Sequence, residues 1–260
     1  MLEIRNLGFS YGDLRVLKGL ELSIGKGLTS IIGPNAAGKT TLMRCIAGLM
    51  DYSGKIDFRG EDIRESSEKT AFMPQEMPER TSLSVMEVIL MGMLDRLKWR
   101  VDSDDIEAAY AALYEMGIED LAARHMNELS GGQCQMVMIA QCLVRNPKLL
   151  LMDEPINNLD LCRQLEMFEI VKKATTERDL STIMILHDIS LAARYSDRMI
   201  ILSNGSVHST GHPCDVVTEE MLRDVYGVEA SVKIEDGVPH LNPKRSIRLN
   251  LNSKKQEGGI

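Results

Sequence analysis

The sequence predicts an α/β fold: a mainly parallel sheet covered on both faces, an antiparallel β segment ahead of it, and a helical segment inserted between its strands. Two uninterrupted apolar runs, LLLM at 149–152 and TIMIL at 182–186, suit strands buried on both sides. Helix-period stretches separate them, whereas residues 1–30 alternate in the manner of half-exposed strands.

In chain order, EIRNLGF and VLKGLELSI are the alternating strands, and GKG marks the turn before LTSII. TTLMRCIAGLM reads as a helix with Leu42, Ile46 and Leu49 on one face. DYSG leads into the short strand KIDFRG, and TAFMPQ is a strand that ends at a proline turn. SLSVMEVILMGML and DSDDIEAAYAALYEMGI then carry helical periodicity, with Asp102, Ser103 and Asp104 favouring a helix start. Helix and strand alternate again through GGQCQMVMIAQCLVRN, KLLLMD, a long helix from about 160 to 178, STIMILHD, ISLAARYS and RMIILSNG. VTEEMLRDVYG forms a last helix, and the final twenty or so residues predict no packed element. The predicted division is 1–82, the first part of the core with its antiparallel β subdomain; 83–128, a helical subdomain; 129–225, the rest of the core; and 226–260, a partly flexible C-terminal extension.

Between LTSII and its helix stands GPNAAGKTT, residues 33–41, with the spacing of a phosphate-binding loop. Glycines let successive backbone N–H groups turn inward as an anion nest, and the following helix points its positive end at the same place. The candidates for contact are Gly33, Pro34, Asn35, Ala36, Ala37, Gly38, Lys39, Thr40 and Thr41. Lys39 supplies a mobile charge for the outer phosphates, and the Thr40 hydroxyl suits Mg2+. A glycine-rich turn before a buried helix is the plain reading of the same residues. The strand in front and the helix behind favour the phosphate loop, and so a P-loop nucleotide hydrolase core. Loop chemistry alone admits ATP or GTP.

Hydrophobic residues at 44% and charged residues at 26% are ordinary for a soluble globular chain, and the net charge of −8 with no long basic stripe argues against broad nucleic-acid binding. Cys45, Cys134, Cys142, Cys162 and Cys214 are scattered with no C-x-x-C, which fits reduced thiols, and the five histidines lack zinc-ligand spacing. MLEIRNLGFS has no leader character, and no run approaches the length of a bilayer span.

KLLLMDE supplies the acidic half of a phosphate-loop enzyme. Its buried strand delivers Asp153 toward the magnesium shell and Glu154 toward an attacking water. His187 ends TIMILHD, placed to contact the γ-phosphate, and Gln75 follows TAFMP, placed to complete the magnesium or water shell. All are strand-end residues, and open α/β sheets bind ligands at strand ends. LSGGQ at 129–133 puts Ser130, Gly131, Gly132 and Gln133 at the start of a helix bearing Met136, Val137, Ile139, Ala140 and Leu143. Ser130 can serve as its N-cap, yet free N–H groups there also form a second anion site. One nucleotide cannot easily fill both sites in one subunit, so two subunits head to tail would build two composite sites.

Taken together, the chain resembles an ATP-binding-cassette ATPase over roughly residues 1–225. GPNAAGKT is similar to the Walker A loop, Gln75 to the Q-loop residue, LSGGQ to the signature, LLLMDE to Walker B, NNLD to the D-loop and His187 to the switch histidine. The resemblance implies ATP and Mg2+ as ligands, with Tyr11 of FSYGDLRVL stacking on adenine. It implies that Ser130, Gly131 and Gly132 touch the nucleotide held by the opposite subunit, and that Asp160 communicates across the homodimer. Cys134, Met136 and Gln141 stand where the family often carries arginines, while Asn157 and Asn158 replace a common Ser/Thr and small residue. TSLSVMEVILMGMLDRLKWR, HDISLAARYSDRMIILSNGSVHSTG and the ending DVYGVEASV…DGVPHLNP are similar to cassette subunits of iron–siderophore, haem and cobalamin importers. That branch implies a peripheral subunit on the cytoplasmic face of the membrane, paired with permease subunits and indirectly with an extracytoplasmic binding protein. Other importers or exporters, a nucleotide-gated regulatory module, and a soluble cassette acting on nucleic acid are the alternatives. The last would carry tandem cassettes, a long coiled coil or a basic face, and none is visible.

Overall fold

The computed structural model describes residues 1–65, 69–76, 81–94, 101–157 and 159–247. The chain opens with β1 (Leu2–Tyr11) and β2 (Leu14–Ile24), an antiparallel pair, and continues into β3 (Gly27–Ile32) and helix α1 (Lys39–Ile46). Strands β4 (Ser53–Phe58) and β5 (Glu61–Asp62) join the first pair in a four-stranded sheet ordered β2-β1-β4-β5. Strand β6 (Thr70–Met73) returns to the core.

Helices α2 (Val85–Met91), α3 (Ser103–Glu115) and α4 (Gly131–Val144) follow. Each begins at a capping box: Ser84 with Glu87, Asp102 with Asp105, and Ser130 with Gln133. Such caps satisfy first-turn N–H groups that a helix leaves unpaired, at about 1 kcal/mol each. The helix starting at 102–104 is therefore where the sequence placed it, with Asp102 as the cap. The part of the insert over 95–100 lies outside the described residues.

The second half alternates as expected: β7 (Leu149–Asp153), α5 (Leu161–Glu177), β8 (Ser181–Ile185), α6 (Ile189–Tyr195), β9 (Arg198–Ser203) and β10 (Ser206–Gly211). The core sheet runs β10-β9-β3-β8-β7-β6, parallel except for the β9–β10 hairpin. Period-two alternation splits each central strand between two cores. Leu149 and Leu151 face α1 and the N-terminal sheet with Leu42, Cys45 and Ile46, whereas Leu150 and Met152 face the helices with Val137, Phe168 and Val171. Phe168 stacks on Tyr195 with ring centroids 4.5 Å apart, joining α5 to α6. Arg178 donates to the Leu143 carbonyl at 2.9 Å and pairs with Glu115, tying the end of α5 to α4 and α3. Burial pushes the Cys45 and Cys142 thiols up to about 12, so both behave as small apolar residues.

Two expectations are corrected. Leu49 is 63% exposed, because α1 stops at Ile46 and Leu49 lies beyond its C-cap at Ala47. The prediction of no packed element over the final twenty or so residues is also corrected for 241–246, which lie in a strand. After α7 (Pro213–Val216), α8 (Glu219–Met221) and a π-helical turn over Leu222–Tyr226, β11 (Val228–Glu235) and β12 (Val238–Ser246) form a hairpin. Pro239 and Pro243 obscure β12 in sequence, but a two-stranded ribbon has free outer edges where a missing N–H costs little. Residues 248–260 lie outside the described residues. No helix among the described residues is long and apolar enough to cross a membrane.

Candidate nucleotide site

Strand β3 is paired on both sides, by β8 and β9, and its last residues are fully buried. It delivers the chain to Gly33, where a Cβ would lie 2.2 Å from the Leu202 carbonyl oxygen, so only glycine fits. The loop then turns through Ala36 in the left-handed region (φ 63°), with the Ala37 N–H donating to the Pro34 carbonyl at 3.2 Å. Gly38, at φ 97°, is the N-cap of α1. Gly33→Ala is expected to destabilise the fold by about 1–3 kcal/mol, read as a lower denaturant midpoint, since the β3–β9 approach leaves no room to relax.

Lys39 is buried, and its Nζ donates to the carbonyls of Gly33 at 2.8 Å and Pro34 at 3.1 Å. Burial lowers its pKa, while the nearby Glu154 and Asp153 carboxylates oppose that shift. The Thr40 hydroxyl donates to Asp153 Oδ1 at 3.4 Å, and Thr41 is buried. Asp153 closes β7, and burial raises its pKa against the Thr40 hydrogen bond. A hydroxyl beside a carboxylate at a helix N-terminus is the hard-oxygen donor set that fits Mg2+.

Glu154 follows in a left-handed conformation (φ 54°), with its N–H donating to the Ile185 carbonyl at 3.2 Å. Such a conformation is costly for a residue with a side chain, and persists only where the surroundings fix it. The carboxylate is 7% exposed and held from three directions. Gln75 Nε2 donates to Oε2 at 2.7 Å, Asn157 Nδ2 donates to the same oxygen, and His187 Nε2 pairs with Oε1. The strand ends thus gather Lys39, Thr40, Asp153, Glu154, Gln75 and His187 as the sequence suggested. Gln75 and His187 meet the carboxylate of Glu154 itself. Asn157 was missed as a site residue; its signal was an amide three residues past the acidic pair. Its neighbour Asn158 lies outside the described residues.

The remaining candidates sit elsewhere. Tyr11 ends β1, half-exposed, with its hydroxyl 3.8 Å from Met50 Sδ and its ring edge-on to Phe9. Ser130, Gly131, Gly132, Gln133 and Asp160 line a separate cavity of about 530 Å3 whose described walls include none of residues 33–41. Ser130 accepts from the Gln133 N–H as the cap of α4, and Asp160 accepts from the Arg163 N–H as the cap of α5.

A phosphate loop facing a strand-end carboxylate pair on a parallel sheet defines a P-loop nucleotide hydrolase. The sequence model of the family described as ABC transporter matches residues 17–157. The chain is 35% identical over 250 residues to an uncharacterized ABC transporter ATP-binding protein, MJ0089 of Methanocaldococcus jannaschii, covering 94% of this chain and 98% of the relative. It is 34% identical to the iron(3+)-hydroxamate import ATP-binding protein FhuC of Bacillus subtilis, covering 98% of this chain and 97% of that one. A solved ABC transporter in an inward-facing conformation shares the fold, with a TM-score of 0.81 at 23% identity over 94% of this chain and 97% of its own. The chain belongs to the ABC transporter family, as an ATP-hydrolysing subunit.

Proposed function

We propose that this subunit hydrolyses Mg2+-ATP as a head-to-tail homodimer and drives import through separate membrane permeases. The observation that carries the reading is the separation of two candidate anion sites in one chain. Lys39, Thr40, Asp153 and Glu154 form one half, and Ser130–Gln133 line a cavity apart from them. Only a second copy supplies the missing half to each nucleotide. The backbone of Gly33–Gly38, with Asn35, Lys39 and Thr41, cradles the phosphates, and Tyr11 receives the adenine. Thr40 and Asp153 would hold Mg2+, which when bound neutralises charge on the outer phosphates.

Glu154 orients a water toward the γ-phosphorus; the new P–O bond forms as the bond to ADP breaks. Gln75 and His187 hold that carboxylate, and through it both would feel loss of the γ-phosphate. Asp160 passes the change across the dimer. ATP contacts both halves only when they close, so binding shifts the pair toward closure and product release reverses it.

The permease dimer docks beside the insert that follows Gln75, on the cytoplasmic face of the membrane, and receives cargo from an extracytoplasmic binding protein. Ferric siderophore, haem or cobalamin is the proposed cargo class, supported by the likeness to an iron(3+)-hydroxamate import subunit and by the ending VYGVEASV…DGVP. Isolation of the chain at native expression with its bound partners tests this. Recovery of a many-helix membrane protein is expected, and a purely soluble or nucleic-acid complex would overturn it.

A further inference from the structure

The cavity at the start of α4 must accept a polyanion if it completes a nucleotide site, yet its own helix brings no positive charge. Helix α4 reads GGQCQMVMIAQCLV, without a lysine or arginine. The described walls of the cavity carry two carboxylates, Asp120 and Asp160, and one cation, Arg163. Arg163 stands in the first turn of α5, its side chain half-exposed, with Nη1 donating to Glu166 Oε2 at 2.9 Å. A surface pair of this i,i+3 type contributes well under about 1 kcal/mol, so the guanidinium exchanges it readily for a better acceptor. Its backbone N–H is fixed by Asp160 at 3.0 Å, so the base of the side chain is anchored to the D-loop while its tip remains free to turn.

We propose that Arg163 is a nucleotide-binding residue acting in trans: it leaves Glu166, turns into the cavity, and binds the phosphates of the ATP held by the partner subunit. The inference rests on the head-to-tail reading above. The chemistry suits the task. Gly131 and Gly132 present first-turn N–H groups with no intrahelical acceptor, and a guanidinium adds a fork of donors matched to phosphate oxygens. Without that charge, an incoming triphosphate would meet the Asp120 and Asp160 carboxylates with only the first-turn N–H groups of α4 to offset them.

The test reads the ATP concentration that half-converts the Glu154→Gln protein to dimer, by light scattering with Mg2+. Adding Arg163→Ala should raise that concentration about tenfold, the loss of roughly one charge-assisted hydrogen bond. Arg163→Lys, which keeps the charge, should recover most of the loss. A lysine variant as poor as alanine, or an alanine variant that dimerises at the original concentration, would overturn the role of Arg163 and leave the composite site standing. Titration of the monomer with ATP below the dimerising range separates the two subunits' contributions. An equal weakening there would place the effect within one subunit and overturn action in trans. Inorganic phosphate alone should leave the protein monomeric; closure by phosphate alone would mark a free-anion site instead. Failure of Glu154→Gln itself to dimerise would overturn the underlying head-to-tail reading.

Discussion

Glu154→Gln is expected to lower ATP turnover by about two to four orders of magnitude while leaving ATP binding intact. The substitution preserves length and shape but replaces one carboxylate oxygen with an amide N–H2. In the native site both oxygens accept: Oε2 from Gln75 and Asn157, and Oε1 from His187. A glutamine can still accept through one oxygen, so the left-handed backbone and the strand ends stay in place. It cannot accept hydrogen bonds at both ends, nor draw a proton from the water it orients. Lys39 and Thr40, proposed above to hold the phosphates and the metal, are untouched. Single-turnover phosphate release measures the chemical step apart from binding and product release. A normal rate from the variant would remove Glu154 from the reaction.

Lys39→Ala is expected to weaken ATP binding by roughly ten- to a hundredfold, the loss of about 1.5–3 kcal/mol from a hydrogen bond to a charged group. The Lys39 ammonium is buried in the loop and held on the carbonyls of Gly33 and Pro34. It is therefore already desolvated and positioned before the phosphates arrive, so little ordering is left to oppose binding. Water entering the space left by alanine brings no net charge. Titration with a fluorescent ATP analogue reads the loss, and unchanged affinity would contradict the assignment of the loop.

Much of this site was legible because its residues lie at the ends of strands that announce themselves. LLLM and TIMIL are too apolar to be exposed, so Asp153, Glu154 and His187 at their ends had to emerge together. The loop at 33–41 was legible because its glycines answer to backbone geometry, shown at Gly33 by the approach of Leu202. Contacts between side chains were harder to foresee. The grip of Asn157 on Glu154 depends on the path of the turn after β7, which no spacing rule specifies. Arg163 lines the signature cavity because α5 starts where it does, whereas in sequence it is one more basic residue on a helix. Leu49 misled because helical periodicity carries no mark of where the helix stops. Strand β12 was hidden because its prolines obey edge rules that apply only once its partner is known.

The most direct test of ATP-driven closure is the molar mass of the Glu154→Gln protein in solution, measured by light scattering with and without Mg2+-ATP. Two separated half-sites joined by nucleotide predict a single-chain mass without ATP and twice that mass with it, the shift absent with ADP. A single-chain mass under every condition, with ATP shown to be bound, would contradict the composite site.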